Sequence, residues 1–393
     1  MNVNRLFRLG FATALMSLSL GVSSATLSDS GPDADLLRVF EAIEAKRLDE
    51  ALAQTEAIIK VYPNFRLAHL IKGDLLLARG RPLKGFGNVN GDSSAIADLR
   101  EEAFARLRAY RDKPQAQYVP RYLLQMGAEQ KYAVVVDTRR ARLYVYKNEN
   151  GTPRFVADFY ASHGKAGAEK IREGDNKTPV GVYHVISQID RSKLPDLYGD
   201  GAFPINYPNE WDKRVGRTGY GIWLHGVPQD TYARPPRASE GCVVLANQDF
   251  NTLSNYVQVG LTPVIISNQI EWLSMDDWQA ERGSLNAAIE AWRKDWESRD
   301  VSRYLKHYAR SFKSGSADLA SWSAHKTRVA SGKTWIKVEL DRISMLRSPG
   351  KDELVEVTFD QRYESNNHDD QRRKKQYWIK ENGQWRIAYE GNA

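Results

Sequence analysis

The sequence predicts a multidomain α+β protein in three parts: a helical N-terminal module, a mixed β domain, and an α+β cone at the C-terminus. Three observations carry this prediction. Apolar residues between 33 and about 127 recur at three-and-four spacing, as they do on the buried face of a helix. From Lys131 the pattern changes to short β-branched and aromatic runs between Gly-rich turns, which read as strands. Beyond residue 275, two aromatic-rich helical stretches precede four long strand-like segments. A chain of 393 residues is also too long for one ordinary domain.

Residues 1–25 read as a secretory signal. Arg5 and Arg8 precede a short apolar core, Leu9 to Val22, and Ser23-Ser24-Ala25 form a small-residue cleavage site. The alternative, a membrane anchor, needs roughly 20 apolar residues, and this core is shorter and holds Gly, Thr and Ser. The expected location is periplasmic. Residues 26–128 form the helical module. Its Ala51, Tyr62-Pro63, Ala68 and Gly73 resemble one tetratricopeptide-type hairpin. A single such unit cannot bury its own face, so it must pack on a neighbouring domain or form a homodimer.

Residues 129–270 carry the strand-like runs. Ala133 to Asp137 and Arg142 to Tyr146 flank a polar turn as a hairpin would. Residues 275–393 begin with Leu285 to Trp296 and Val301 to Tyr308. Strands at Thr334 to Ser344, Glu353 to Glu364, Arg373 to Glu381 and Gln384 to Glu390 follow, with Asn382-Gly383 as a hairpin turn.

A net charge of +7 suits an anionic partner, but the basic residues are scattered, and no nucleic-acid-binding tract is present. The chain has one cysteine, Cys242. An internal disulfide is therefore impossible and a thiolate zinc site is not expected. In an exported protein an unpaired cysteine is a reactive thiol, an intermolecular partner, or a small apolar core residue.

The surroundings of Cys242 favour reactivity. An apolar run, Ile222-Trp223-Leu224, delivers His225-Gly226 to a strand end. Thirteen residues from Gly226 to Ala238 form a Pro-stiffened loop, and Ser239-Glu240-Gly241 then presents Cys242. A thiol with its ordinary pKa of about 8.5 is mostly protonated at neutral pH. An adjacent imidazole can take that proton or hold a thiolate–imidazolium pair, the activation that cysteine acyl transfer requires. Gly241 leaves room for a substrate carbonyl, and the amides of Gly241 and Cys242 are candidate oxyanion donors.

This His-Gly, loop, Ser-x-Gly-Cys order resembles the signature of the L,D-transpeptidase (YkuD) family. Upstream, Ser162-His163-Gly164-Lys165 and Glu173-Gly174-Asp175-Asn176-Lys177-Thr178-Pro179-Val180-Gly181-Val182-Tyr183 resemble another stretch of that family, so the resemblance spans about residues 131–270. It implies that Cys242 attacks the carbonyl between the L-centre of diaminopimelate or lysine and the terminal D-Ala of a peptidoglycan tetrapeptide stem. His225 then serves as general base and acid, oriented by the Gly226 carbonyl. An amine acceptor completes a crosslink, or water completes a trimming reaction, with no metal or organic cofactor. The common signature continues Cys-x-Arg, whereas this chain has Val244, so the charge is either missing or supplied from elsewhere, with Arg234 and Arg237 on the loop as the candidates. The tail, ending Tyr377-Trp378-Ile379, resembles nuclear transport factor 2-like (NTF2-like) domains, and its ligand is unknown. The whole resembles an envelope subgroup that includes cell-shape L,D-carboxypeptidases, which keeps hydrolysis open beside transfer.

Further candidates for substrate binding are Ser239, Arg237, Lys177, Trp223 and His163. Each has a structural alternative: Ser239 as a turn brace, Trp223 as core, His163 as a strand-end polar residue. Lys165, Lys170, Arg172 and Lys177, interleaved with Glu169, Glu173 and Asp175, read as a solvated mixed-charge loop. Trp292, Trp296, Tyr304 and Trp322 read as core of the tail before they read as a pocket. A scaffold that binds peptidoglycan without chemistry is the non-enzymatic alternative.

Overall fold

A computed structural model describes residues 31–393 apart from 83–84, 89–92, 113–114, 116 and 351–352. The signal-like segment 1–25 lies outside the described residues. No described helix is long and apolar enough to cross a membrane. The architecture is α+β, with a helical N-terminal region, a mixed-sheet middle and an NTF2-like tail.

Four helices, Pro32–Glu44, Leu48–Val61, Arg66–Ala78 and Ser93–Arg111, make the N-terminal module. Their apolar faces close on Leu36, Val39, Leu52, Phe65, Leu67 and Ile71. The module's neighbour is the middle domain. Tyr232, on the loop that follows His225-Gly226, inserts between Tyr62 and Phe65 at ring distances of 4.9 and 4.5 Å. Asp33 bridges Arg106 of the module and Arg142 of the middle domain, and Arg142 also grips Asp158. The helices thereby hold the loop between the His-Gly and Ser-x-Gly-Cys motifs.

The middle domain is two packed sheets. One has the order 152–160, 142–149, 132–137, 263–267, 181–184; the other runs 243–244, 223–225, 201–204, 189–190. Their inner faces share one core: Val134, Val145 and Tyr183 from the first sheet meet Phe203, Leu224 and Val243 from the second. Alternation along each strand puts these residues inside and leaves the other face of the second sheet for chemistry.

The tail sheet has seven strands. Its last hairpin, His368–Glu381 and Gln384–Asn392, turns at Asn382-Gly383 with both residues at positive φ (52° and 76°), as the sequence predicts. Trp292, Tyr304, Tyr308 and Trp378 are buried core, while Trp296 and Trp322 pack against it. One expectation needs correction. Residues 118–125, read as the end of the helical module, are two three-residue strands. Tyr118–Pro120 pairs with Trp272–Ser274, and Leu123–Gln125 joins the edge of the tail sheet beside 345–346. Three residues carry no period, and the partners lie 150 or more positions away, so no local pattern reveals them.

Candidate active site

The strand Trp223–His225 runs parallel to Val243–Val244, with Leu224 opposite Val243 and His225 opposite Val244. Leu224 and Val243 point into the core. Side chains alternate, so Trp223, His225 and Cys242 share the opposite face. Val244 lies next to Ser162, exchanging backbone hydrogen bonds at 2.9 Å in both directions, and is buried. Its backbone is fully committed to joining the two motifs.

The imidazole of His225 is fixed by its own turn. Its Nδ1 lies 2.7 Å from the Gly226 carbonyl, which can only accept, so Nδ1 carries the proton and Nε2 presents its lone pair. Gly226 is braced by Asn247, whose Oδ1 accepts from the amides of Val227 and Asp200, both at 3.1 Å. A Cβ on Gly226 would stand 2.1 Å from that oxygen, so only glycine fits. Tyr198 completes the setting: its ring meets His225 edge-on at 5.0 Å and packs on Trp223 at 4.8 Å.

Burial pushes the His225 pKa down to about 4, opposed by the Gly226 hydrogen bond and assisted by the Arg234 charge. Burial also pushes the Cys242 thiol up, while the Trp223 amide and Arg234 oppose that rise. Burial thus favours the uncharged form of each group. The thiol donates to the Gly221 carbonyl at 3.5 Å and must leave that acceptor to deliver its proton to imidazole.

The Ser239–Cys242 turn is tightly held. Ser239 Oγ donates to the Cys242 carbonyl at 2.6 Å and accepts from the Gly241 amide at 3.1 Å. The Gly241 N–H, expected as an oxyanion donor, is held by the serine in this arrangement. The Cys242 amide has no acceptor among the described residues and is the open donor of the turn. Gly241 has φ 134°, and a Cβ there would meet the Lys177 carbonyl at 2.8 Å. Thr178 links both motifs, donating to the Gly241 carbonyl at 2.9 Å and accepting from the Gly164 amide at 2.8 Å.

Most charges of the upstream loop, Lys165, Glu169, Arg172 and Glu173, are exposed as its mixed composition implies, and Lys170 is the exception. Lys170 is buried and donates to Asp175 at 2.7 Å and to the Arg172 carbonyl at 3.0 Å. Asp175 also caps the amides of Ile171, Arg172 and Lys177. That combination holds its carboxyl well below the usual range. A rigid 170–177 loop therefore sets the Lys177 carbonyl against Gly241.

Of the candidate substrate-binding residues, Ser239, Lys177 and Trp223 lie around the Cys242 turn. His163 and Arg237 do not face the thiol; they line a separate cavity beside the Ser93–Arg111 helix. Arg237 is ion-paired there with Glu101 at 3.0 Å. Arg234 is the basic group that acts on both Cys242 and His225. It is half-buried, its guanidinium reaches only the Leu197 carbonyl at 3.5 Å, and no carboxylate pairs with it among the described residues. Sequence reasoning assigned no role to Tyr198, Asn247 or Thr178. Thr178 alone stood in a quoted motif, so only it left a signal.

A half-buried thiol, an imidazole oriented by a backbone carbonyl and an open backbone amide on one sheet face define a cysteine acyl-transfer type of site. Comparison with known proteins gives the family. Residues 131–266 match the L,D-transpeptidase catalytic domain (YkuD), and residues 284–391 match the Cds6 C-terminal NTF2-like domain. Bd1075 of Bdellovibrio bacteriovorus is similar at 32% identity and TM-score 0.63, over 70% of this chain and 98% of that one. The helical cell shape determining protein Pgp2 of Campylobacter jejuni is similar at 25% identity and TM-score 0.58, over 68% and 95%. No curated protein sequence matches. The chain belongs to the YkuD L,D-transpeptidase family, whose members are cysteine-dependent peptidoglycan-modifying enzymes of the cell envelope, and it carries the Cds6-type tail.

Proposed function

We propose that this protein is a periplasmic peptidoglycan L,D-transpeptidase acting through a Cys242 thioester. Cys242 Sγ attacks the carbonyl between the L-centre and terminal D-Ala of a tetrapeptide stem as its proton passes to His225 Nε2. The developing oxyanion accepts from the Cys242 amide. The imidazolium returns the proton to the departing D-Ala nitrogen, the C–N bond breaks and the thioester remains. An acceptor amine then attacks the thioester, gives its proton to Nε2, and regenerates the thiol as the crosslink forms. Trp223 walls the cleft and Lys177 and Ser239 shape the turn that receives the stem.

The observation that carries this reading is Arg234. A guanidinium without a carboxylate partner, beside a half-buried thiol, suits the carboxylate of the D-Ala leaving group, and it takes over the charge that Val244 cannot supply. A second reading, hydrolysis of the same thioester, draws support from the likeness to a protein that determines helical cell shape. Purified protein incubated with disaccharide tetrapeptide separates the two: transfer yields a crosslinked dimer, whereas hydrolysis yields only the tripeptide. Recovery of the tetrapeptide with no acyl-Cys242 in the intact mass would defeat both.

A further inference from the structure

The cavity that takes His163 and Arg237 is large, about 550 Å³, and contains none of Cys242, His225 or Trp223. It lies between the Ser93–Arg111 helix, the turn at 138–141 and the paired strands 163–164 and 237–239. Four arginines line it (Arg108, Arg139, Arg140 and Arg237) against a single carboxylate, Glu101, which already pairs with Arg237. None of the other three forms an ion pair among the described residues, although the Asp137 carboxylate lies close enough to interact with Arg140. Arg139 donates to the Gln269 side chain at 2.7 Å and Arg140 to the Asp112 carbonyl at 2.8 Å, both neutral acceptors. Arg108 is exposed, and its side chain has no hydrogen-bond or ion-pair partner among the described residues. Guanidinium groups cannot shed their charge, so the cavity holds positive potential at any pH the protein meets.

Two further features say what kind of anion fits. His163, buried in the wall at 6% exposure, has its Nδ1 out of solvent contact with no hydrogen-bond partner. It stays neutral, because burial pushes its pKa down to about 4 against backbone hydrogen bonds from Gly164 and Thr138, so it adds no charge to the wall. At the rim, Phe104 is 71% exposed, an aromatic surface beside the arginines. A lone inorganic anion uses neither the volume nor the phenyl ring. A short peptide with several carboxylates, amide groups and aliphatic stretches uses all of them.

We infer that this cavity is a second binding site, separate from the thiol cleft, for a short acidic peptide of the class to which a peptidoglycan stem belongs. Naming the peptide as a stem rests on the proposed function; binding of an acidic peptide does not. Its place supplies a link to the reaction. Arg237 lines the cavity, and Ser239, two residues on in the same strand, holds the Cys242 carbonyl. A peptide seated there lies one strand from the catalytic turn.

The test uses the full chain carrying Cys242→Ala, which binds without turnover. Calorimetry with soluble tetrapeptide stem is compared with the same protein also carrying Arg108→Gln and Arg139→Gln, two positions outside the thiol cleft. The inference expects two binding events in the first protein and loss of one, at least about tenfold weaker, in the second, as removal of charge-assisted hydrogen bonds predicts. Amide exchange should show peptide-induced protection at 101–108 and 138–141 only in the first. Identical titrations in both proteins overturn the inference, as does inorganic phosphate displacing the peptide from that site at equal concentration. Carbapenem labelling of the protein with Cys242 intact reports on the proposed function independently. Its failure defeats the thioester reading and leaves the acidic-peptide site standing.

Discussion

His225-Gly226 and His163-Gly164 are the same dipeptide in two strands, and both rings are buried and pushed down to about 4. Their surroundings differ. The Nδ1 of His225 donates to its own glycine's carbonyl, that glycine is braced by Asn247, and a thiol shares its sheet face. The Nδ1 of His163 has no partner, and Gly164 gives its amide to Thr178. Burial alone therefore makes neither ring a base. Orientation by an acceptor and proximity to a nucleophile separate the two, and only tertiary pairing supplies both.

The largest expected effect tests that separation directly. Cys242→Ser or Cys242→Ala should abolish acylation by a carbapenem, followed by intact mass. His225→Ala should slow acylation by about 10²–10⁴-fold, the usual range for a lost general base. His163→Ala should leave the acylation rate within about threefold; a loss comparable to that of His225→Ala would erase the distinction.

Arg234→Gln comes next. Losing a charge-assisted carboxylate contact should cost about 1.5–3 kcal/mol, or about 10–150-fold in kcat/KM for the tetrapeptide. Its pH profile sharpens the assignment. Arg234 lowers both the His225 and Cys242 pKa values, so its removal should move the acidic limb upward and the thiol alkylation midpoint upward as well. Midpoints that stay fixed would remove Arg234 from the site.

The turn that separates the two dipeptides is tested through Thr178 and Gly241. Thr178→Val keeps the shape but strands the Gly241 carbonyl and the Gly164 amide, which should destabilise the protein by about 1–3 kcal/mol, read from denaturant unfolding. Gly241→Ala places a Cβ against the Lys177 carbonyl at an unfavourable φ and should cost a similar amount, about 1–3 kcal/mol.

The smallest effect treats the two rings alike. Each has a folded pKa of about 4, below the ordinary 6.5, so the unfolded chain binds protons first as pH falls. Their contribution to stability is complete above pH 6.5 and is lost as pH drops from 6.5 towards 4. His163→Gln should flatten that slope without touching acylation; an unchanged slope would place His163 in contact with water.

The fold class and the family were legible from residue order. Periodic helices, β-branched runs and the Asn382-Gly383 turn express local physics, and the His-Gly and Ser-x-Gly-Cys signatures are contiguous. What escaped is non-local. The strand Leu123–Gln125 completes a sheet built more than 200 residues later. Lys170 looks like a solvated charge until Asp175 folds over it. Tyr198 meets His225 from a single 3-10 turn, Asp196–Tyr198, that carries no motif.

The sequence by itself determined the candidate groups, because its one thiol, its two His-Gly dipeptides and a glycine turn are legible in residue order. The tertiary structure decided how they are set. It fixed the tautomer of His225, spent the Gly241 amide on Ser239, placed Arg234 and not Arg237 beside the sulfur, and moved His163 to another cavity. The physical reason is that side-chain identity is local, whereas burial, hydrogen-bond partnership and electrostatic neighbours depend on segments far apart in the chain.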